Sequence, residues 1–131
     1  MKKILVFGVF DGLHSGHIYF LKQARKLGDK LIVAIAPDKI VKKLKHKIPH
    51  TNQKERLELV QSLKIVNQAM IGDRRISSYE VVKRLNPDII CLGYDQQALA
   101  QDIKKHLPNM KVMIARAYKS RRMHTSKLIR Q

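Results

Sequence analysis

At 131 residues the chain is long enough for one domain around one core and too short for a second. Its 27 lysines and arginines against 10 acidic residues give a formal charge of +17, a field suited to a nucleic acid or a small anionic substrate; no tryptophan and an aromatic content of 5% argue against a base-stacking surface. The apolar runs are of strand length and broken by Lys, Asp or Gly, which excludes a membrane-spanning helix.

Met1-Lys2-Lys3-Ile4 leads into a strand rather than a secretory leader, and a lone cysteine, Cys91, forms no internal disulfide, so a cytoplasmic protein is expected. The first strand is expected over 4–9, carried by Ile4-Leu5-Val6-Phe7. A helix follows over 16–27, where Ile18, Leu21, Ala24 and Leu27 recur at three-residue steps before the stop signal Gly28-Asp29. Between them lies Gly8-Val9-Phe10-Asp11-Gly12-Leu13-His14-Ser15-Gly16-His17. The free N–H groups and positive dipole end of a helix start favour an anion, and the glycines let phosphate oxygens approach the chain. His14 and His17 set two ring donors at that start, able to hydrogen-bond phosphoryl oxygens and to stabilise the charge of a transition state. A cap plus a surface residue is the plainer reading of two such histidines. A metal pair is disfavoured, because further ligands at matching spacing are missing and Cys91 lies inside an apolar run. Asp11 either orients an acceptor or a metal, or stabilises the turn.

A second strand over 30–36 is followed by a basic stretch with a short helix over 38–45. There, Lys42-Lys43-Leu44-Lys45-His46-Lys47 reads as a solvated loop or as a source of charge for a polyphosphate. Helix 52–62 comes next, with Thr51 as its cap and Arg56 in its first turn, then strand 65–71, helix 77–85 and strand 88–92. Gly93-Tyr94-Asp95-Gln96 is a strand-to-helix turn with Asp95 as N-cap of helix 96–106. Strand 110–115 and a final helix over 125–130, capped by Thr125 or Ser126, complete the pattern. Alternating strands and helices imply right-handed crossovers and a parallel sheet covered on both faces, with ligands at the carboxyl ends of the strands where their order switches. Residues 8–17 and 93–96 are expected to meet there.

The glycine-histidine segment resembles the signature of the HxGH nucleotidyltransferase superfamily in its small cytidylyltransferase-like branch, approximately G-T-F-D-x-x-H-x-G-H. The likeness extends over essentially the whole chain: Leu27-Gly28-Asp29 before Leu31-Ile32-Val33-Ala34-Ile35-Ala36, then Glu55-Arg56, then Pro87-Asp88-Ile89-Ile90-Cys91-Leu92-Gly93-Tyr94-Asp95-Gln96, and Thr125-Ser126-Lys127-Leu128-Ile129. It departs at Val9, where the family usually has Thr and a hydroxyl contact is lost, and at His124, where members often carry Ser. The Tyr94-Asp95-Gln96 turn and residues 38–45 are more similar to archaeal-type FAD synthases than to glycerol-3-phosphate cytidylyltransferases.

The resemblance implies a Rossmann-like α/β domain over 1–131, with a five-stranded parallel sheet flanked by helices. It also implies transfer of a nucleoside monophosphate from a triphosphate to a small phosphomonoester, with release of diphosphate. ATP with FMN is the first substrate pair and CTP with glycerol 3-phosphate the second; a basic nucleic-acid-binding protein is the reading from another class. By the same resemblance Gly8, Val9, Phe10, His14, His17, Gly93, Asp95, Gln96, Thr125 and Ser126 would hold the nucleotide. His14 and His17 would be catalytic together with a loop lysine, Lys45 or Lys47 by their distance before Arg56. Asp11 and Arg56 would lie near the acceptor, Mg²⁺ would bridge the leaving diphosphate, and the enzyme would be a homodimer.

Overall fold

Along the first strand, successive side chains leave on opposite sides of the backbone and both sides are buried. Ile4 and Val6 join one core, Leu5 the other, and all three are fully shielded from solvent. The computed structural model describes residues 1–117. It consists of β1 Lys3–Gly8, α1 Ser15–Arg25, β2 Lys30–Ile35, α2 Asp38–Lys45, α3 Gln53–Gln61, β3 Gln68–Ile71, α4 Glu80–Leu85, β4 Ile89–Leu92, α5 Gln97–His106 and β5 Val112–Ile114. The strands form one sheet of five in the order β3-β2-β1-β4-β5, every pairing parallel. This is a Rossmann-like α/β sheet flanked by helices.

The alternation continues across the sheet. Leu31, Val33, Ile35 and Cys91 face Leu21 and Ala24 of α1 and Val60 of α3, whereas Ile32, Ala34, Ile90 and Leu92 face Val81 and Val82 of α4 and Ile103 of α5. Each of these larger aliphatic side chains contributes about 1.5–3 kcal/mol by leaving water. Two parallel neighbours flank β1: Phe7 registers with Ala34 of β2 and Val6 with Cys91 of β4. The order therefore reverses at β1, and the chain leaves β1 and β4 at the same sheet edge.

The third strand and the fourth helix each begin three residues later than their apolar patterns suggest. The strand expected from 65 begins only at Gln68, because the Val66 N–H closes a turn on the Leu63 carbonyl and the Asn67 N–H reaches the Leu31 carbonyl. The helix expected from 77 begins at Glu80, since Ser77 and Tyr79 have φ of 65° and 50°. Both hydroxyls donate to Asp102 on α5, Ser77 at 2.7 Å and Tyr79 at 2.5 Å, and hold the approach to α4 out of helical geometry. Among the described residues no helix is long and apolar enough to cross a membrane. The helix expected over 125–130, with Thr125 and Ser126, lies outside the described residues.

Candidate active site

After β1 the backbone turns sharply, with Phe10 at φ 54° and Gly12 at φ 72°. Phe10 folds its ring back under Gly8, so close that a Cβ on Gly8 would sit 2.5 Å from a ring carbon. Phe10 is only 3% exposed and belongs to the core. Its ring lies 5.4 Å from that of His17, centroid to centroid, so it supports the histidine from beneath.

His14 is the N-cap of α1, and the two histidines close a capping box. Nδ1 of His14 accepts from the Gly16 N–H at 3.0 Å, and Nδ1 of His17 accepts from the His14 N–H at 3.2 Å. A backbone N–H can only donate, so neither Nδ1 carries a proton; the neutral tautomer of each ring places its hydrogen on Nε2. The ring centroids are 3.9 Å apart. Burial holds the His17 pKa below the ordinary imidazole value, the neighbouring His14 pushes the same way, and the Asp95 carboxylate opposes both. Capping and phosphate binding are thus compatible: the cap consumes Nδ1 and leaves an oriented Nε2–H beside the free N–H groups of the helix start.

The turn after β4 arrives at the same place. Gln96 stitches it to β1: Oε1 accepts from the Gly93 N–H at 2.8 Å, and Nε2 donates to the Phe7 carbonyl at 3.1 Å. Asp95 is exposed and leans over Gly93, its Oδ1 lying 2.8 Å from where a Gly93 Cβ would be. Gln96 rather than Asp95 occupies the N-cap of α5, and it makes no side-chain capping bond. Tyr94 presents a 57% exposed ring at the tip of the turn.

Asp11 and Arg56 are occupied by the fold itself. Asp11 accepts from the His50 and Thr51 N–H groups at 2.8 and 3.0 Å and from the Thr51 hydroxyl at 2.8 Å. Burial works to raise its pKa, but these hydrogen bonds outweigh it and bring the carboxyl down to about 2. Arg56, fully buried, donates Nε to the Thr51 carbonyl at 3.1 Å, Nη1 to the Val9 carbonyl at 2.8 Å and Nη2 to Asp38 at 2.6 Å. Asp38 in turn exchanges hydrogen bonds with Gln53, accepting at 3.1 Å while its own N–H reaches Gln53 Oε1 at 2.9 Å. The α3 end of the segment between α2 and α3 is therefore held onto the turn after β1 by Asp11 and Arg56 and onto the start of α2 by Asp38.

The structure brings together Gly8, Val9, Phe10, His14, His17, Gly93, Asp95 and Gln96, as the strand order requires. Lys45 and Lys47 are exposed, at the end of α2 and in the loop beyond His46, which closes that helix in left-handed geometry at φ 55°. Thr51, expected as the cap of α3, gives way to Asn52, whose side chain accepts from the Glu55 N–H at 2.9 Å, and Thr51 serves Asp11 instead. Asp38 and His50 carry no signal in the sequence, because their partners are 15 to 39 residues away.

A family model described as cytidylyltransferase-like matches residues 5–131 of the chain. Among similar proteins, one named FAD synthase from Thermococcus sibiricus is 46% identical, with 98% of this chain and 90% of the relative covered. Another of that name from Thermococcus kodakarensis is 42% identical with the same coverage, 98% and 90%. Among solved structures, the lipopolysaccharide core biosynthesis protein from Thermoplasma volcanium matches with a TM-score of 0.76 at 38% identity, over 92% of this chain and 98% of that one.

Proposed function

Since the chain belongs to the cytidylyltransferase-like family and is a nucleotidyltransferase, we propose that it transfers AMP from ATP to FMN, forming FAD and diphosphate. The observation that carries this reading is the identity of 46% and 42% with proteins named FAD synthase, over nearly the whole of both chains. An oxygen of the FMN phosphate attacks the α-phosphorus of ATP. The new P–O bond forms as the bond to the β-phosphoryl oxygen breaks, and diphosphate leaves with the electron pair. No covalent enzyme intermediate is required.

The residues divide the work by position. Gly8 and Gly93 let the nucleotide approach at the switch between β1 and β4, with Asp95 as an acceptor for its ribose or base. The Nε2–H donors of His14 and His17, with the N–H groups at the start of α1, hold the α- and β-phosphates as charge builds in the transition state. Lys45 or Lys47 brings a mobile cation to the triphosphate, and Thr125 and Ser126 bind its tail. ATP enters with a divalent cation, Mg²⁺ in our reading, which neutralises the departing diphosphate. Asp11 and Arg56 serve the acceptor by fixing the segment beside it. We further place the enzyme in the cytoplasm as a homodimer.

The test incubates the pure protein with Mg²⁺ and each pairing of ATP or CTP with FMN or glycerol 3-phosphate, then identifies products by mass. FAD from ATP and FMN is the expected product. CDP-glycerol would transfer the chain to the cytidylyltransferases. Salt-sensitive binding of DNA or RNA without turnover in any pairing would favour the basic field as a nucleic-acid surface.

A further inference from the structure

The buried residues of α1 are Leu21 and Ala24, in its second half, whereas His14 is exposed and His17 only partly covered. The histidines thus stand at the free end of a helix that the core grips one to two turns further along. A slight rotation or slide of the gripped part moves them most.

Gln23 lies between the two gripped positions, and its amide takes both backbone groups of one residue 93 positions away. Nε2 donates to the Arg116 carbonyl at 3.1 Å, and Oε1 accepts from the Arg116 N–H at 3.0 Å. Arg116 stands two residues past β5. Its neighbour Ala115 is buried in the same core as Leu21 and Ala24 and donates its N–H to the Leu92 carbonyl at 2.7 Å. Leu92 ends β4, immediately before Gly93.

We propose that Gln23 is a positioning residue for the phosphate-binding histidines: by tying α1 to the chain that leaves β5, it fixes the start of α1 relative to the turn after β4. This deepens the role given to His14 and His17 above and rests on it. Apolar burial is non-directional, so Leu21 and Ala24 hold α1 on the sheet without fixing its rotation or its slide. Two hydrogen bonds to one backbone unit fix both, because each weakens steeply with angle. Gln96 closes the frame from the other side by joining Gly93 to the end of β1. Histidines and Asp95 are then held in one closed path of covalent chain and hydrogen bonds.

The test is Gln23→Met, which keeps the length of the side chain and removes both bonds. Steady-state FAD formation, thermal melting and the NMR signals of the histidine ring protons are measured on the full chain. We expect kcat to fall about tenfold at a KM for FMN within about twofold, since a displacement on the order of 1 Å at a reacting group can cost up to about a hundredfold. The ring signals of His14 and His17 should move while those of His46 and His106, on α2 and α5, stay. Unmoved His14 and His17 signals overturn the proposal whatever the kinetics show. A lower melting temperature with kcat unchanged makes the pair structural only and overturns it too. A wild type that makes no FAD removes the functional reading, and the histidine signals then decide by themselves whether Gln23 sets the start of α1.

Discussion

The side-chain amide of Gln96 spans the reversal in strand order: its Nε2 donates to the Phe7 carbonyl at the end of β1, while its Oε1 holds the Gly93 N–H at the end of β4. A single amide sets the spacing between the turns that follow β1 and β4, using both its donor and its acceptor. Gln96→Glu keeps the acceptor but turns a carboxylate toward a carbonyl. We expect a loss of about 1–3 kcal/mol in urea denaturation, the usual cost of leaving a polar partner unsatisfied, and a KM for ATP raised more than kcat is lowered. Unchanged stability and KM would reduce the bridge to an incidental contact.

The Asp38–Arg56 pair predicts an asymmetry. Arg56 is fully buried, whereas the Asp38 side chain is 37% exposed. Removing the carboxylate strands a cation with no access to water; removing the cation leaves a carboxylate that water can reach. Asp38→Ala should cost about 3–5 kcal/mol, and Arg56→Met, which refills the volume, clearly less. Chemical denaturation of both variants checks the order, and the reverse order would mean that the Val9 and Thr51 carbonyls, not the charge pair, dominate what Arg56 contributes.

The fold was largely legible because a parallel sheet buried on both faces writes itself as short apolar runs between helical patterns. Ile4-Leu5-Val6 and Ile89-Ile90-Cys91-Leu92 are such runs, and the glycine turns after them mark the ligand edge. The histidines were legible as a pair, but not the division of each ring between cap and donor, which depends on side-chain angles. Asp11 and Arg56 were legible as important residues, but their partners within the fold were not. A carboxylate past a glycine turn and an arginine in a helical first turn look the same whether they face a substrate or another loop. Their partners, Thr51 and Asp38, lie 40 and 18 residues away, beyond any periodic signal.

Gly8 and Gly12 predict different costs for the same change. An alanine Cβ at Gly8 would meet Phe10 ring atoms at 2.5 and 2.7 Å, whereas at Gly12 nothing lies within 4 Å and only its φ of 72° resists. Phe10 is itself left-handed and core-bound, so it cannot yield without disturbing the His17 ring above it. Gly8→Ala should therefore cost about 1–3 kcal/mol by overpacking and weaken ATP binding as well. Gly12→Ala should cost about 1–2 kcal/mol of backbone strain, with ATP binding retained. Thermal melts with and without ATP separate the two, and equal loss of ATP protection in both variants would contradict the role given to Phe10.

His17 must be unprotonated at Nδ1 to accept the His14 N–H, and its pKa lies below the ordinary 6.5, first through burial. With a depressed pKa the folded state binds fewer protons than the unfolded chain. The stabilising contribution of the cap is thus complete above the unfolded imidazole value and is lost as pH falls through the folded one. We expect the melting temperature and kcat to fall together on that acid limb. His17→Asn separates the two roles of the ring, since its Oδ1 can still accept the His14 N–H while no donor remains at the Nε2 position. That variant should keep stability within about 1 kcal/mol and lose about 10²–10³ in kcat at near-constant KM for ATP, the scale of removing one donor to a charged transition state. Full turnover by His17→Asn would confine the histidine to capping α1.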